Sequence, residues 1–198
     1  MAGNIRNHAR DLSHKDVKRL LGYVSTEGRN QTRNRLMVLL SVYSGLRASE
    51  IANLRWRMVL NEEGDVSNVL TLENSAAKKL SGRLIPLKAE VGKTLMEYRA
   101  ECGNTEPKSY ILISQQGGQL KPQSIINWFR SVYSQIGLEG ASSHSGRRYF
   151  VTIAARKIFE AGGSLRDVQD LAGHRSIATT QLYIARNSEA QRKVVELI

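Results

Sequence analysis

Residues 171–183 read Leu-Ala-Gly-His-Arg-Ser-Ile-Ala-Thr-Thr-Gln-Leu-Tyr, and the rest of the chain is organised around this stretch. Gly173 ends the helical pattern that precedes it, because glycine is common just past a helix C-terminus. His174 follows at once, Ser176 or Thr179 is predicted to cap a second short helix, and Tyr183 is predicted to lie on or just after that helix. A histidine, a turn and a tyrosine held together indicate either ordinary packing or a reactive site, and residues upstream decide between them.

Composition and charge narrow the class of protein. The chain has 198 residues, 41% of them hydrophobic, which is typical of one globular domain with a substantial core. Lys and Arg number 29 against 18 Asp and Glu, so the net charge is +11. An excess of this size usually indicates a polyanionic partner, most often nucleic acid; solubility or an acidic protein partner is the alternative. The basic residues are spread along the chain, so the fold must assemble the positive surface.

The residues present argue against a disulfide, a metal site, a signal peptide and a membrane-spanning segment. The single cysteine, Cys102, rules out an intrachain disulfide and a cysteine-based zinc site, and the four histidines form no HExxH pattern. Residues 1–12 lack the apolar core of a signal peptide. The longest apolar run, residues 36–43, is too short to span a bilayer. We therefore expect a soluble, cytoplasmic protein that binds no membrane and no metal.

The chain is predicted to be α+β and mainly helical, with one small antiparallel β-sheet. Apolar residues recur at helical spacing in eight segments, which begin near residues 13, 31, 47, 88, 122, 143, 164 and 188. Three short segments have strand composition: 69–72, 83–87 and 110–113. Ser13 is predicted to cap the first helix, and Ser142 or Ser143 to cap the sixth. The second helix is apolar nearly all round, which predicts the buried centre of the domain.

The chain is predicted to have three parts. Residues 1–12 are interpreted as a flexible basic arm, 13–187 as one domain, and 188–198 as a final helix that docks on its own domain or on a neighbour.

Two upstream patterns pair an arginine with another functional side chain at helical spacing. Arg47 and Glu50 lie three residues apart and share a helix face. The pair is either a surface ion pair of little energetic value or, because Arg47 lies in a first helical turn, part of an anion site. His144 and Arg147 are also three apart and share a face, and Lys78 lies at the tip of the predicted hairpin.

These residues occur in the order that is typical of one enzyme family. Gly-Leu-Arg-Ala-Ser-Glu-Ile at 45–51, His-Ser-Gly-Arg-Arg at 144–148, and Leu-Ala-Gly-His at 171–174 with Tyr183 nine residues on resemble the three boxes of the tyrosine recombinases, the phage-integrase family. The resemblance runs from about residue 13 to 183. It implies the tyrosine-recombinase catalytic-domain fold and a site-specific recombinase or integrase.

The resemblance also implies six catalytic residues: Arg47, Lys78, His144, Arg147, His174 and Tyr183. The family's hairpin lysine precedes an Arg-hydrophobic-Ile-Pro-Leu strand by a few residues, so Lys78 matches best and Lys79 is the alternative. Tyr149 stands where the family often has threonine, and we expect it to pack along its helix and not to act as the nucleophile.

The chemistry of phosphodiester cleavage agrees with this residue set. Without a metal or any other cofactor, another group must neutralise the charge that develops on the phosphate, and two arginines can do so. Tyrosine has an ordinary pKa of about 10 and needs a base or a cationic cluster to become a nucleophile. His144 is predicted to accept its proton or to orient the phosphate.

The other residues have supporting roles in this prediction. Lys78 is the general acid for the leaving 5′ oxygen, His174 a donor to the phosphate, and Glu50 a positioning group for Arg47 or a histidine.

The implied partners are double-stranded DNA, three further copies in a synaptic homotetramer, and accessory DNA-bending proteins. Family members usually carry an N-terminal helical domain that clamps the DNA, and none is visible before Ser13. We see three interpretations: the protein is a naturally short recombinase, it is a truncated remnant, or a partner supplies the missing contacts.

Two alternatives to a recombinase remain. One is a non-catalytic or remnant DNA-binding regulator with the same fold, and the other is an enzyme of type IB topoisomerase character that relaxes DNA.

Overall fold

The computed structural model describes residues 9–77, 82–184 and 195–196. Eight α-helices lie within the described residues: α1 His14–Thr26, α2 Gln31–Tyr43, α3 Ala48–Asn53, α4 Ala89–Glu101, α5 Pro122–Gln135, α6 Ser145–Lys157, α7 Leu165–Ala172 and α8 Ile177–Gln181. They are joined by a 3₁₀ turn, Trp56–Met58, and two strands, β1 Val69–Leu72 and β2 Arg83–Pro86. The prediction of a mainly helical α+β fold is confirmed.

Helix α2 is the centre of the domain, as its composition predicts. It packs against α1, α4 and α6, and its residues 36–42 are all buried. Burying a large apolar side chain contributes about 1.5–3 kcal/mol, so this helix carries a large share of the stability. Its C-terminal end at Tyr43 leads directly into the loop that holds Arg47.

The chain enters the domain earlier than predicted. Helix α1 begins with a capping box in which the Ser13 hydroxyl accepts the Asp16 N–H at 3.1 Å, as its sequence predicts. Leu12 is buried, and the Arg10 N–H donates to the Gly140 carbonyl at 2.8 Å. Residues 9–12, placed in the basic arm by sequence, are therefore packed against the domain, and residues 1–8 lie outside the described residues.

The predicted hairpin is present, but the third predicted strand is wrong. Strands β1 and β2 pair antiparallel, with Val69 opposite Pro86 and Leu72 opposite Arg83. Residues 110–113 form only isolated bridges, Tyr110 with Arg55 and Ile113 with Gln119. Because its two ends pair with different segments, no continuous ladder forms. The loop residues 78–81, which include Lys78 and its alternative Lys79, lie outside the described residues.

Helix α6 begins one residue later than a Ser143 cap would allow and two residues later than a Ser142 cap would allow. His144 occupies the N-cap position, so the prediction of Ser142 or Ser143 is wrong. The reason is a preceding turn, in which the Ser142 N–H donates to the Ser145 hydroxyl at 3.0 Å and the Ser142 hydroxyl accepts the His144 N–H at 3.2 Å. This turn moves the helix start to Ser145 and leaves the His144 side chain exposed.

The 171–183 stretch folds as predicted. Gly173 ends α7 in the left-handed conformation, with φ +60°, and Ser176 caps α8 by accepting the Ala178 N–H at 3.3 Å. Tyr183 lies two residues past α8. Of the predicted final helix, only residues 195–196 are described, and they are helical. No helix in the described ranges has the length and apolar composition needed to cross a membrane.

Candidate active site

The ends of α2, α6 and α7 meet beside an open cleft of about 850 Å³. The cleft is lined by Ala9, Arg130, Gly140, Ser142, His144, Arg147, Arg148 and Tyr183. Four of these side chains are cationic or become so on protonation, so the cleft suits an anion. Arg47, Glu50 and Arg83 lie close enough for their charges to act on Arg147.

Glu50 is fully buried and is shared between two arginines. One carboxylate oxygen accepts Arg47 Nη1 at 2.7 Å, and the other accepts the Arg47 backbone N–H at 2.9 Å. Arg83 approaches both oxygens, with Nη2 at 3.2 Å and Nη1 at 3.3 Å. Burial raises the pKa of Glu50, but the bonds and charges of Arg83 and Arg47 outweigh burial and lower it overall. The group is therefore a carboxylate, and the interpretation of Arg47–Glu50 as a surface pair is wrong.

Arg83 is a site residue that the sequence analysis missed. Its side chain is only 6% exposed, and its Nε–H donates to the Leu171 carbonyl at 2.8 Å. It thus ties the first strand residue after the hairpin loop to Glu50 and to the C-terminal end of α7. A Cβ on residue 173 would lie 2.9 Å from Arg83 Nη1, so Gly173 is required by space as well as by its positive φ.

Arg147 joins the ends of two helices. Its side chain is nearly buried; Nη1 donates to the Gly45 carbonyl at 2.6 Å and Nη2 to the Ala172 carbonyl at 2.5 Å. Burial lowers the pKa of Arg147, to about 9. The nearby charge of Arg47 contributes to this lowering of the pKa, whereas the charge of Glu50 opposes it. The group is protonated at neutral pH, and its remaining N–H donors are not used by these two carbonyls.

His174 and Tyr183 form a stacked pair. Their ring centroids are 5.9 Å apart and the planes are inclined by 18°. His174 Nδ1 is 3.0 Å from the buried Thr180 hydroxyl, which fixes the ring. Burial lowers the pKa of His174 to about 4, helped by the charges of Arg147, Arg47 and Arg83. His174 is therefore neutral at pH 7, with one N–H donor and one acceptor nitrogen.

Arg148 was not singled out by the sequence, yet it lies against the nucleophile candidate. Its guanidinium is 5.7 Å from the centroid of the Tyr183 ring, and its Nε–H donates to Asp11 Oδ1 at 2.8 Å. The neighbouring Tyr149 points elsewhere: its hydroxyl lies 3.2 Å from His14 Nδ1, and burial raises its pKa. Tyr149 thus packs along its helix as expected.

The structure brings five of the six predicted residues together, namely Arg47, His144, Arg147, His174 and Tyr183. The sixth, Lys78, lies outside the described residues. The sequence contains one weak signal for Arg83: this residue begins the predicted strand that follows the hairpin lysines. In the described part of the chain, no three histidine, cysteine or acidic side chains are grouped as metal ligands.

Residues 10–190 match the phage integrase family. The tyrosine recombinase XerC of Mesorhizobium japonicum is 30% identical over 177 residues, which cover 87% of this chain and 54% of that protein. The tyrosine recombinase XerD of Corynebacterium glutamicum is 30% identical over 166 residues, covering 82% of this chain and 51% of its own length. The chain therefore spans about half the length of the curated relatives it matches.

Solved structures show the same fold. The Tn1549 transposon integrase, in complex with a circular intermediate DNA, superposes with a TM-score of 0.79 at 17% identity, over 100% of this chain and 68% of its own. The XerA recombinase gives a TM-score of 0.69 at 24% identity, over 96% of this chain and 65% of its own. The XerH recombinase bound to its difH substrate gives 0.73 at 21% identity, over 93% and 53%.

Proposed function

The chain belongs to the phage integrase family, and on that basis we propose that it is a site-specific recombinase that cuts and rejoins DNA through a 3′-phosphotyrosyl intermediate. The observation that carries the proposal is the position of Tyr183. Its ring stacks on His174, lies beside Arg148, and shares a cleft with His144 and Arg147. A tyrosine among so many nitrogen donors suits attack on a phosphodiester.

Arg47 and Arg147 bind the nonbridging oxygens of the scissile phosphate. Arg147 is held by two carbonyls and Arg47 by Glu50, so both guanidinium groups are fixed before DNA binds. Fixed donors stabilise the pentacovalent transition state because no reorganisation is needed as charge develops. Planar forked donors also match the geometry of phosphate oxygens.

The chemical step is a transesterification. The Tyr183 hydroxyl oxygen bonds to phosphorus while the bond from phosphorus to the 5′ oxygen breaks. The tyrosine proton passes to His144, and Lys78 protonates the departing 5′ oxygen. A 5′-hydroxyl from another strand then attacks the phosphotyrosine and reverses the step. One phosphodiester is exchanged for another, so no ATP is required.

His174 acts as a neutral hydrogen-bond donor to the phosphate. Its Nδ1 is occupied by Thr180, which directs the other ring nitrogen, Nε2, to the substrate. Its low pKa keeps it from acting as a cation at neutral pH, so its contribution is a directed hydrogen bond and not a charge.

The two alternatives are weaker on chemical grounds. A regulator that only binds DNA has no use for a tyrosine stacked on a neutral histidine, or for buried arginines whose burial is energetically costly. A topoisomerase of type IB character would use the same cleavage step, but it would reseal the original strand. Relaxation of supercoiled DNA by the isolated protein, without strand exchange between two sites, would select that alternative.

Partners and assembly belong to the same proposal. Double-stranded DNA is the substrate, recombination requires a homotetramer on two sites, and residues 188–198 are the exchange element between subunits. The proposal also includes accessory DNA-bending proteins as partners and a location with the nucleoid. Removal of residues 188–198 is expected to abolish synapsis and to retain cleavage.

Covalent trapping tests the proposal. The protein is incubated with nicked duplexes cut from the DNA that flanks its own gene, and adducts that resist detergent are separated on a gel. We expect an adduct from the wild type and from Tyr149→Phe, and none from Tyr183→Phe. An adduct that persists in Tyr183→Phe would overturn the assignment of the nucleophile, and specific binding without any adduct would favour the regulator.

A further inference from the structure

Two arginines in the cleft have no role in the mechanism described above. Arg130 comes from α5 and Arg148 from α6, and both line the cleft with Tyr183. Arg130 is exposed, and among the described residues no hydrogen bond or ion pair engages it. The apolar face of α5, which includes Ile125 and Phe129, is buried without it. An unengaged cation that lines a cleft is suited to binding an anionic ligand.

We propose that Arg130 and Arg148 form a second phosphate subsite, which binds a DNA phosphate next to the scissile one. The proposal rests on the recombinase function and extends it to the strand beside the cut. The cleft, at about 850 Å³, is within the range that holds a ligand much larger than one phosphate group. Because the Arg148 guanidinium lies 5.7 Å from the Tyr183 ring, a phosphate bound there is adjacent to the reacting atoms.

Asp11 occupies the Arg148 side of this subsite. Its carboxylate accepts the Arg148 Nε–H at 2.8 Å, and its side chain is 71% exposed, against 25% for Arg148. An ion pair this exposed contributes little to folding. A carboxylate and a phosphate oxygen offer a guanidinium the same kind of acceptor, so DNA can replace Asp11 on Arg148.

The position of Asp11 links the subsite to the start of the domain. Asp11 lies between Arg10, whose N–H is bound to Gly140, and the buried Leu12. This anchored segment holds the carboxylate at the rim of the cleft, where it repels phosphate until Arg148 releases it. Asp11 therefore weakens DNA binding, and its removal strengthens it.

The test is DNA binding by fluorescence anisotropy, with a labelled, nicked duplex of mixed sequence over a series of salt concentrations. Contacts to phosphates do not depend on sequence, so the natural target is not needed. The variants are Arg130→Gln, Arg148→Gln, Asp11→Asn and the double variant Asp11→Asn/Arg148→Gln. The controls are Arg35→Gln and Glu90→Gln, which break an ion pair of 2.6 Å whose arginine is about as exposed as Arg148 and which does not line the cleft.

We expect Asp11→Asn to tighten binding about two- to fivefold, the range set by an exposed ion pair. Arg130→Gln and Arg148→Gln should each weaken binding and lower the slope of log K against log salt by about one, as expected for one lost phosphate contact. In the double variant the gain from Asp11→Asn should disappear, because Asp11 acts through Arg148. The controls should bind like the wild type.

Results that contradict the phosphate subsite differ from results that contradict the proposed recombinase function. Binding by Arg130→Gln and Arg148→Gln equal to that of Arg35→Gln, with a wild type that traps DNA covalently, would overturn the subsite and leave the recombinase standing. Weaker binding by Asp11→Asn would overturn the role of Asp11. The expected pattern of affinities in a protein that forms no adduct would support the subsite and count against the recombinase.

Discussion

The two halves of the site are built in opposite ways. In the buried half, Glu50, Arg83 and Arg147 are almost inaccessible, and each is bound to another charged group or to a carbonyl at a helix end. In the open half, Arg130 and Arg148 line a cleft and are exposed or partly exposed.

This difference indicates that the buried half stabilises the transition state and the open half binds the DNA backbone. Groups that stabilise a transition state are most effective when their position is set before the substrate arrives, so they are built into the fold. Groups that contact the DNA backbone must remain reachable and need only weak local bonds. Mutations in the buried half should therefore change stability and chemistry together, whereas mutations in the open half should change binding.

Loss of Arg83 should have the largest effect. Arg83→Gln leaves the buried Glu50 with one arginine, and breaking a buried pair in this way costs about 3–5 kcal/mol in the free energy of unfolding. Chemical denaturation measures the loss. Arg57→Gln is the matched control, because Arg57 pairs with Glu73 at 2.6 Å on the surface and should cost about 1 kcal/mol or less. Equal losses in the two variants would erase the distinction between the buried half and the surface.

A second substitution, at Glu50, tests why Arg83→Gln is destabilising. Glu50→Gln in the Arg83→Gln background removes a buried charge that Arg47 alone would then balance, so part of the lost stability should return. If it does not return, the damage in Arg83→Gln comes from the broken contact with Leu171 and not from Glu50.

Arg147→Lys should have the next largest effect, on chemistry. A lysine keeps the charge, but one ammonium group cannot bridge the Gly45 and Ala172 carbonyls and also hold two phosphate oxygens. We expect single-turnover cleavage to fall by about 10²–10³-fold, the range for loss of a fixed transition-state donor. DNA affinity should change much less. A large loss of affinity with unchanged cleavage of bound DNA would assign Arg147 to binding.

A smaller effect should appear as a pH dependence of stability from His174. Its pKa is about 4 in the folded protein, below the value of 6.5 expected when unfolded, so the unfolded chain binds the proton more tightly. Stability from this group is complete above about pH 6.5 and is lost as the pH falls toward 4. Because the ring is only partly buried, we expect a loss of roughly 1–2 kcal/mol.

The measurement compares the free energy of unfolding of the wild type and of His174→Gln across that pH range. The difference between the two isolates His174 from the other titrating groups. A wild-type curve parallel to that of His174→Gln would show that His174 titrates equally in both states.

The smallest effect is expected at Tyr149, which lies outside both halves. Tyr149→Phe removes one hydrogen bond to His14 and should cost about 0.5–1.5 kcal/mol in stability. Cleavage should be unchanged, as measured under single-turnover conditions. A marked loss of cleavage would place Tyr149 in the chemistry, against its raised pKa and its contact away from the cleft.

The sequence predicted features that depend on neighbouring residues and missed those that depend on contacts between distant parts of the chain. Helix α2 and the capping box at Ser13 were predicted correctly because the spacing of apolar residues and the capping residues are local signals, each confined to a few neighbouring positions. The strand at 110–113 was wrong because pairing depends on partners elsewhere in the chain. Arg83 was missed because its contacts, Glu50 and Leu171, lie 33 and 88 residues away and leave no periodic trace.

The most direct test of the central claim is to identify the residue that carries DNA after cleavage. The trapped adduct is digested with nuclease and protease, and the peptide that bears the remaining nucleotide is sequenced by mass spectrometry. We predict one modified peptide, with the nucleotide on Tyr183 through its 3′-phosphate. A nucleotide on Tyr149 or on any other residue, or one linked through its 5′-phosphate, would contradict the account.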